Sequence, residues 1–414
     1  MLNKDNQREL AYVVTIDEIT PIEGYDRVEL AHVGGWTIVV GKGEFKAGDP
    51  AIYFEIDSKL PEVKPFTDME FLAKKHYKIK TQKMCKSYSQ GLLISAEQLG
   101  WEIWIAKLPD SEFQSVKCIK DDKKVKHFAT DESRFLTAAL GVTYAEASDN
   151  QRKAAAADKY KHMAQRNKNL FSHQPFRWLM KHTWGKKFLF LFFGRKKDKK
   201  SSWPNWVKKT DEERIQNMPW ILNDKSSWIA TEKIDGSSTT FTIKRKPFGK
   251  YQFYVCSRNV CFDKPDKKCF YETNIYTEMA EKYNIEAKMK RIMDDILYEC
   301  DWLTIQGETY GPGVQNRNYS APEHGFMAFN LIDSKNGRWN SIEMRNFLER
   351  KYGIPCVPIV DEDFILPDTV DEILNYATGE SVLDTGMREG IVFRSQDGIK
   401  SFKAVSNEYL MKYH

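Results

Sequence analysis

Ala230-Thr231-Glu232-Lys233-Ile234-Asp235-Gly236-Ser237-Ser238 is a short apolar run that ends in a lysine and then breaks into a polar turn. A lysine beside a carboxylate and a tight glycine turn can act as a nucleophile towards a nucleotide α-phosphate. Only the neutral amine attacks, so a nearby cation or desolvation must lower its pKa. A surface lysine ahead of a turn would read the same. By average residue usage, Lys-x-Asp-Gly arises by chance in roughly one chain of this length in ten. The weight therefore rests on the downstream segments and their order.

Downstream lie Phe241-Thr242-Ile243 and Tyr254-Val255-Cys256-Ser257-Arg258-Asn259, both strand-like, with Arg258 where a strand gives way to a loop. The apolar spacing of Met279, Tyr283, Met289, Ile292, Met293 and Ile296 predicts a helix over about 275–297. Trp302 to Gly311 reads as a strand carrying Glu308 into a glycine turn, and Phe326 to Ile332 as a nearly all-apolar strand holding Phe329. Glu389 leads the strand Gly390 to Arg394, and Lys403 lies in the last strand-like run, Ile399 to Ala404. Singly, Glu308 and Glu389 read as solvated strand ends, Phe329 as core and Arg258 as a surface cation.

As an ordered set they resemble the covalent nucleotidyltransferases, that is, ATP-dependent nucleic-acid ligases and messenger-RNA capping enzymes, over about Trp203 to the C-terminus. The resemblance implies Lys233 as the adenylated lysine, with Glu232 beside it in the nucleotide site. It implies Asp235 and Glu389 as carboxylates holding the metal, and Arg258 on the phosphate or the reacting strand. Glu308 would bind the ribose, Phe329 stack on the purine, and Lys403 touch the α-phosphate. Related enzymes often have two lysines one residue apart in the last motif. Here Ser401 takes the first place with Lys400 just before it, so Lys400 is a candidate substitute. The residue types suit the chemistry. Attack on an α-phosphate builds negative charge that cations must stabilise, and carboxylates hold Mg²⁺ or Mn²⁺ through oxygen.

Upstream, short runs rich in Val, Ile, Tyr and Phe, such as Ala11 to Ile16, Gly35 to Gly43, Ala47 to Asp57, Tyr77 to Lys80 and Ser89 to Ile94, are punctuated by Gly, Pro and Asp. That pattern predicts a small β-barrel of the OB type. Gly35-Trp36, Gly41 to Phe45, Gly48-Asp49, Glu55 to Ser58, Ser89 to Leu92 and Trp206 to Asn217 resemble the RNA ligase group typified by the Deinococcus radiodurans and Naegleria enzymes. That likeness implies an OB-fold ahead of a bare catalytic domain, and sealing of 3′-OH to 5′-phosphate breaks in duplexes with RNA on the 3′-OH side.

The expected fold is α+β. An OB-fold β-barrel spans 1–105, a basic, partly helical connector 106–202, and a nucleotidyltransferase domain of antiparallel sheets with flanking helices 203–414. Residues 151–210 hold seventeen Lys and Arg against two acids, while the whole chain is only +5. Such segregation fits a polyanion-binding surface or a solvated linker. Asp149 to Ala164 reads as a helix. Phe188 to Phe193 is too short to span a bilayer and suits packing between domains. With a polar start and seven cysteines in no metal-binding pattern, the chain reads as a soluble intracellular monomer without stable membrane insertion. Its expected cofactors are ATP with Mg²⁺ or Mn²⁺, its partner RNA or an RNA-containing duplex, and its role RNA repair. The alternatives are a capping-type RNA guanylyltransferase and a non-catalytic RNA-binding protein derived from a ligase.

Overall fold

The computed structural model describes residues 1–3, 7–95, 97–99, 101–107, 114–120, 124–127, 135–145, 173–182, 188–189, 203–209, 211–262, 269, 271 and 273–413. The helix read at 149–164 and most of the basic stretch and of the 188–193 apolar run lie outside them.

The N-terminal part is built from short antiparallel strands. Ala11–Thr15, Pro50–Phe54 and Leu92–Ile94 form one sheet, and Glu18–Ile22, Tyr25–Val33 and Trp36–Gly41 another. The hairpin Thr81–Met84 with Ser87–Gln90 closes against the second, Ser89 Oγ accepting from the Val39 N–H at 3.1 Å. Alternate inward residues Trp36, Ile38 and Val40 pack on Tyr12, Tyr53 and Leu93, as half-buried strands require. The strand expected at 77–80 starts instead at Thr81, because His76 and Tyr77 both take left-handed backbone after the helix Glu70–Lys74. Residues 135–145 return to this barrel, Leu136 and Val142 entering its core. The intervening 101–127 stretch contains a three-stranded antiparallel sheet, Trp101–Lys107, Gln114–Lys120 and Lys124–His127, where the connector was expected to be partly helical. The helix Gln174–Lys181 is the described helical part.

Gly91 separates two barrel strands at φ +116°, where a Cβ would stand 2.4 Å from the Tyr53 ring. Both the backbone and the space demand glycine. Gly91→Ala is expected to lower the melting temperature by about 10 °C or more, read by differential scanning calorimetry.

The C-terminal part is two facing antiparallel sheets. One runs Tyr251–Ser257, Ser237–Arg245, Trp302–Tyr310, Gly325–Asp333, Gly337–Arg338; the other runs Ile359–Ile365, Ser227–Lys233, Gly390–Ser395, Ser401–Val405. Phe241, Ile243, Leu303 and Ile305 send one face of the first sheet against Met279, Met289, Ile292 and Met293. Those methionines and isoleucines lie on two helices, Ile275–Lys282 and Ile285–Asp295, not the single one expected; Asn284 between them adopts φ +50° and turns the chain. Ile373 and Leu374 of Val370–Ala377 cover the second sheet. No helix among the described residues is long and apolar enough to cross a membrane.

Residues 214–217 wedge between the two parts. The Gly35 N–H donates to the Gln216 carbonyl at 2.8 Å, and a Cβ on Gly35 would meet Gln216 Cα at 2.7 Å. Trp36 Nε1 donates to Asn217 Oδ1 at 2.7 Å. This buried contact fixes the barrel beside the end of the sheets where Lys233 lies.

Candidate active site

Strand register decides what surrounds Lys233. Lys233 pairs with Gly390, so Glu389, one residue before, meets its side chain, and Nζ donates to Glu389 Oε2 at 2.6 Å. The chain then crosses to the other sheet through Gly236. A Cβ there would lie 2.4 Å from the Thr309 carbonyl oxygen and 2.8 Å from Glu308 Cγ, so glycine lets the turn press on the strand bearing Glu308. Asp235 is buried, its N–H donating to Tyr319 Oη at 2.6 Å and its Oδ2 accepting from the Tyr409 hydroxyl at 2.8 Å. Tyr409 lies on the closing helix Asn407–Tyr413.

Phe329 is placed by a bulge. Gln306 pairs with Asn330 while Gly307 pairs with Ala328, leaving Phe329 as the extra residue. Bulges beside active sites re-aim a side chain, and Phe329 packs with Ile234 and Val357 at the wall of the cleft. Lys403 pairs with Val392 and lies buried across from Lys233. Arg258 follows the strand Tyr251–Ser257, half-exposed, ion-paired to Asp211. All of these border one cleft of about 360 Å³.

Two candidates sit differently. Glu232 borders the cleft, but its carboxylate accepts from the Ser381 hydroxyl at 2.5 Å and the Val382 N–H at 2.7 Å, and burial pushes its pKa up. Lys400 is not brought to the cleft. Its Nζ donates to Asp224 at 2.7 Å on the surface. Strand alternation is the reason: Ser401 and Lys403 share one side of their strand, and Lys400 falls on the other. Ser401 itself donates its hydroxyl to Glu212.

The local field is uneven. Burial works against charge on Lys233, but Glu389, Glu308 and Asp235 outweigh it and hold its pKa above the usual lysine value. Burial, with Glu389 and Asp235, pushes Glu308 up to about 8 although Lys233 pulls the other way. Lys403 is brought down to about 7 by burial and by Arg8, Arg214 and Lys233, with Asp211 opposing. The cleft thus has a carboxylate side and a cation side. No three metal-ligating side chains converge among the described residues. A divalent ion would take one or two carboxylates, from Asp235 and Glu389, and fill its shell with substrate and water oxygens, which is how Mg²⁺ is commonly held.

The barrel part adds groups to the cleft that sequence reading did not assign: Arg8, Asp57 and Tyr144, with Arg214 from the wedge. Arg8 Nε donates at 3.0 Å to Glu55, which is fully buried, and Arg214 Nη2 donates at 3.1 Å to Asp57. Arg214 Nη1 is buried without a hydrogen-bond partner among the described residues. Such a donor suits an anion arriving in the cleft. Asp57 and Arg214 stood in stretches already singled out; nothing local marks Arg8 or Tyr144.

Residues 226–414 match the family model described as RNA ligase, and residues 10–96 match a model described as an OB-fold domain. No curated protein matches the chain. Among solved structures it is similar to Naegleria gruberi RNA ligase. One, of a variant with ATP and manganese, has 26% identity and a TM-score of 0.67, covering 98% of this chain and 99% of that one. Another, with pyrophosphate, has 26% identity, a TM-score of 0.65 and the same coverage. A third, of a ligand-free variant, has 26% identity and a TM-score of 0.66, covering 98% of both chains. Residues 226–414, set behind an N-terminal OB-fold domain at 10–96, thus carry the RNA ligase family's likeness.

Proposed function

We propose that the chain is an ATP-dependent RNA ligase that seals 3′-OH/5′-phosphate breaks, foremost nicks in duplexes with RNA on the 3′-OH side. The observation that carries this is the meeting of Lys233 with Asp235, Glu308, Glu389 and Lys403 around one cleft, from strands far apart in sequence. Naegleria gruberi RNA ligase, similar over nearly the whole chain, takes ATP with manganese and also pyrophosphate.

In this reading Lys233 attacks the α-phosphate, pyrophosphate departs, and AMP is held on Nζ. AMP then passes to a 5′-phosphate, and a 3′-OH displaces it to close the strand. Phe329 stacks on the purine and Glu308 holds the ribose. Lys403 meets the α-phosphate, and Arg258 exchanges Asp211 for phosphate or the reacting strand. Arg8 and Arg214 offer charge to the departing pyrophosphate. Asp235 and Glu389 would hold Mg²⁺ or Mn²⁺, whose positive charge would favour the neutral form of Lys233 and offset the charge that builds on phosphate. Glu232 steadies the loop at Ser381 and Val382, and Lys400 takes no part.

The same proposal divides the chain into an OB unit with the 101–127 sheet as an insertion, a basic connector, and a nucleotidyltransferase domain starting near Trp203. The OB unit and the basic segment would track RNA, making binding salt-sensitive.

Incubation with α-³²P-ATP or α-³²P-GTP, each with Mg²⁺ or Mn²⁺, tests the reading on denaturing gels. Label from ATP alone is expected. Label from GTP would mean a capping-type enzyme. No label on AMP-free protein would mean a binding protein.

A further inference from the structure

Cys256 and Cys261 face each other across a small hairpin at the open edge of the five-stranded sheet. Cys256 lies in the edge strand Tyr251–Ser257, and an antiparallel bridge pairs it with Cys261. The flanking bonds run from the Ser257 N–H to the Val260 carbonyl at 2.8 Å and from the Phe262 N–H to the Val255 carbonyl at 2.7 Å. Both bonds lie outside the pair, so the cysteines occupy a non-hydrogen-bonded site. Residues opposed in that way have Cα atoms about 4.5 Å apart and the closest side chains in a ladder. A disulfide spans Cα separations of about 4.4–6.8 Å. The pair therefore meets the separation a disulfide requires without a change of register, and both are thiols here.

The hairpin's turn carries Arg258, which borders the cleft and pairs with Asp211. We propose that Cys256 and Cys261 form a reversible disulfide, with a peroxide as oxidant, that locks this turn and holds Arg258 back from substrate. Hydrogen peroxide oxidises one thiol to a sulfenic acid and releases water. The second sulfur then displaces a second water. Two S–H bonds and the O–O bond are lost and one S–S bond forms, the sulfur pair giving two electrons to the peroxide. Both thiols are buried, but the turn is exposed, Val260 by 42%, and opening at a sheet edge brings them to solvent. Intracellular disulfides of this transient kind serve redox sensing.

Trypsin cuts after Arg258, between the two cysteines. Peroxide-treated protein, alkylated and digested without reductant, is expected to yield Tyr251–Arg258 joined to Asn259–Lys267, and dithiothreitol to separate them. Cys261→Ala and Cys256→Ala should each abolish the joined species. Sealing of a nicked RNA duplex should slow about ten-fold or more on oxidation and recover with dithiothreitol, with both variants indifferent to peroxide. The effect on sealing rests on the ligase reading, whereas the joined peptide does not. Cross-links to Cys269 instead, or none while Cys85 is oxidised, would overturn the pairing. The joined peptide with an unchanged rate, in a protein that seals RNA, would overturn the switch.

Discussion

Lys233→Ala protein is expected to take no label from α-³²P-ATP, at least about a thousand-fold below wild type, while still binding nicked RNA. The reason is structural as well as chemical. Among the described residues no other lysine has its place: Lys403 borders the same cleft but sits on the cation side, Lys209 borders it but donates to Asn259 at 2.9 Å, and Lys400 is tied to Asp224 outside it. Lys233→Met, which keeps the aliphatic stem, should lose label equally, separating lost chemistry from lost packing. The same geometry sets the pH profile. Against the effect of burial, Glu389, Glu308 and Asp235 keep Lys233 protonated beyond the ordinary lysine range. Adenylation should therefore rise with pH from 6 to 9 and depend on a divalent ion to replace the ammonium as partner of Glu389. Gel labelling across pH, with chelator controls, reads both. Label that survives in Lys233→Met would sink the nucleophile assignment.

Sequence reading reached the site through strand ends. Lys233 ends its strand, Glu389 directly precedes one and Glu308 lies two residues from the end of its own; Gly236 lets the turn after Lys233 press on Glu308, and Gly390 pairs with Lys233. Such positions can be read locally, because glycine reports a close approach of backbone. Three features could not be read that way. Phe329 owes its aim to a bulge, a register event between two strands that neither reveals alone. Arg8 and Tyr144 reach the cleft because the barrel docks through Gln216 and Asn217, a contact between segments some 180 residues apart. Lys400 was a plausible substitute by proximity in sequence, but a period of two places neighbours on opposite faces. The break at Asn284 had a signal in its residue type, since asparagine tolerates left-handed backbone, but helical spacing ran through it.

Lys403→Met should make the protein more stable and the enzyme worse. Burial and the nearby Arg8, Arg214 and Lys233 bring Lys403 from the ordinary 10.5 down to about 7. Between those values the unfolded chain holds a proton that the folded chain has released, so wild-type stability rises with pH across that window. Below about pH 7 the folded protein carries the full cost of a cation crowded by cations. Replacing Lys403 by methionine removes that cost, so the melting temperature should rise most near pH 6. The gain should shrink towards pH 10, where wild-type Lys403 is neutral in the folded state. Adenylation should fall about 10²–10³-fold, the loss typical of removing one donor aimed at developing charge. Binding of the triphosphate reverses the repulsion, since its negative charge stabilises the same cations. ATP binding near pH 7.5 should then be accompanied by proton uptake, seen by calorimetry in buffers of different ionisation enthalpy, and the uptake should fall in Lys403→Met to the share that Glu308 takes. A variant that melts below wild type at pH 6 would contradict this electrostatic origin. Agreement would mean that the crowded cations of the cleft favour a polyanion, which is how a site can favour triphosphate before any chemistry begins.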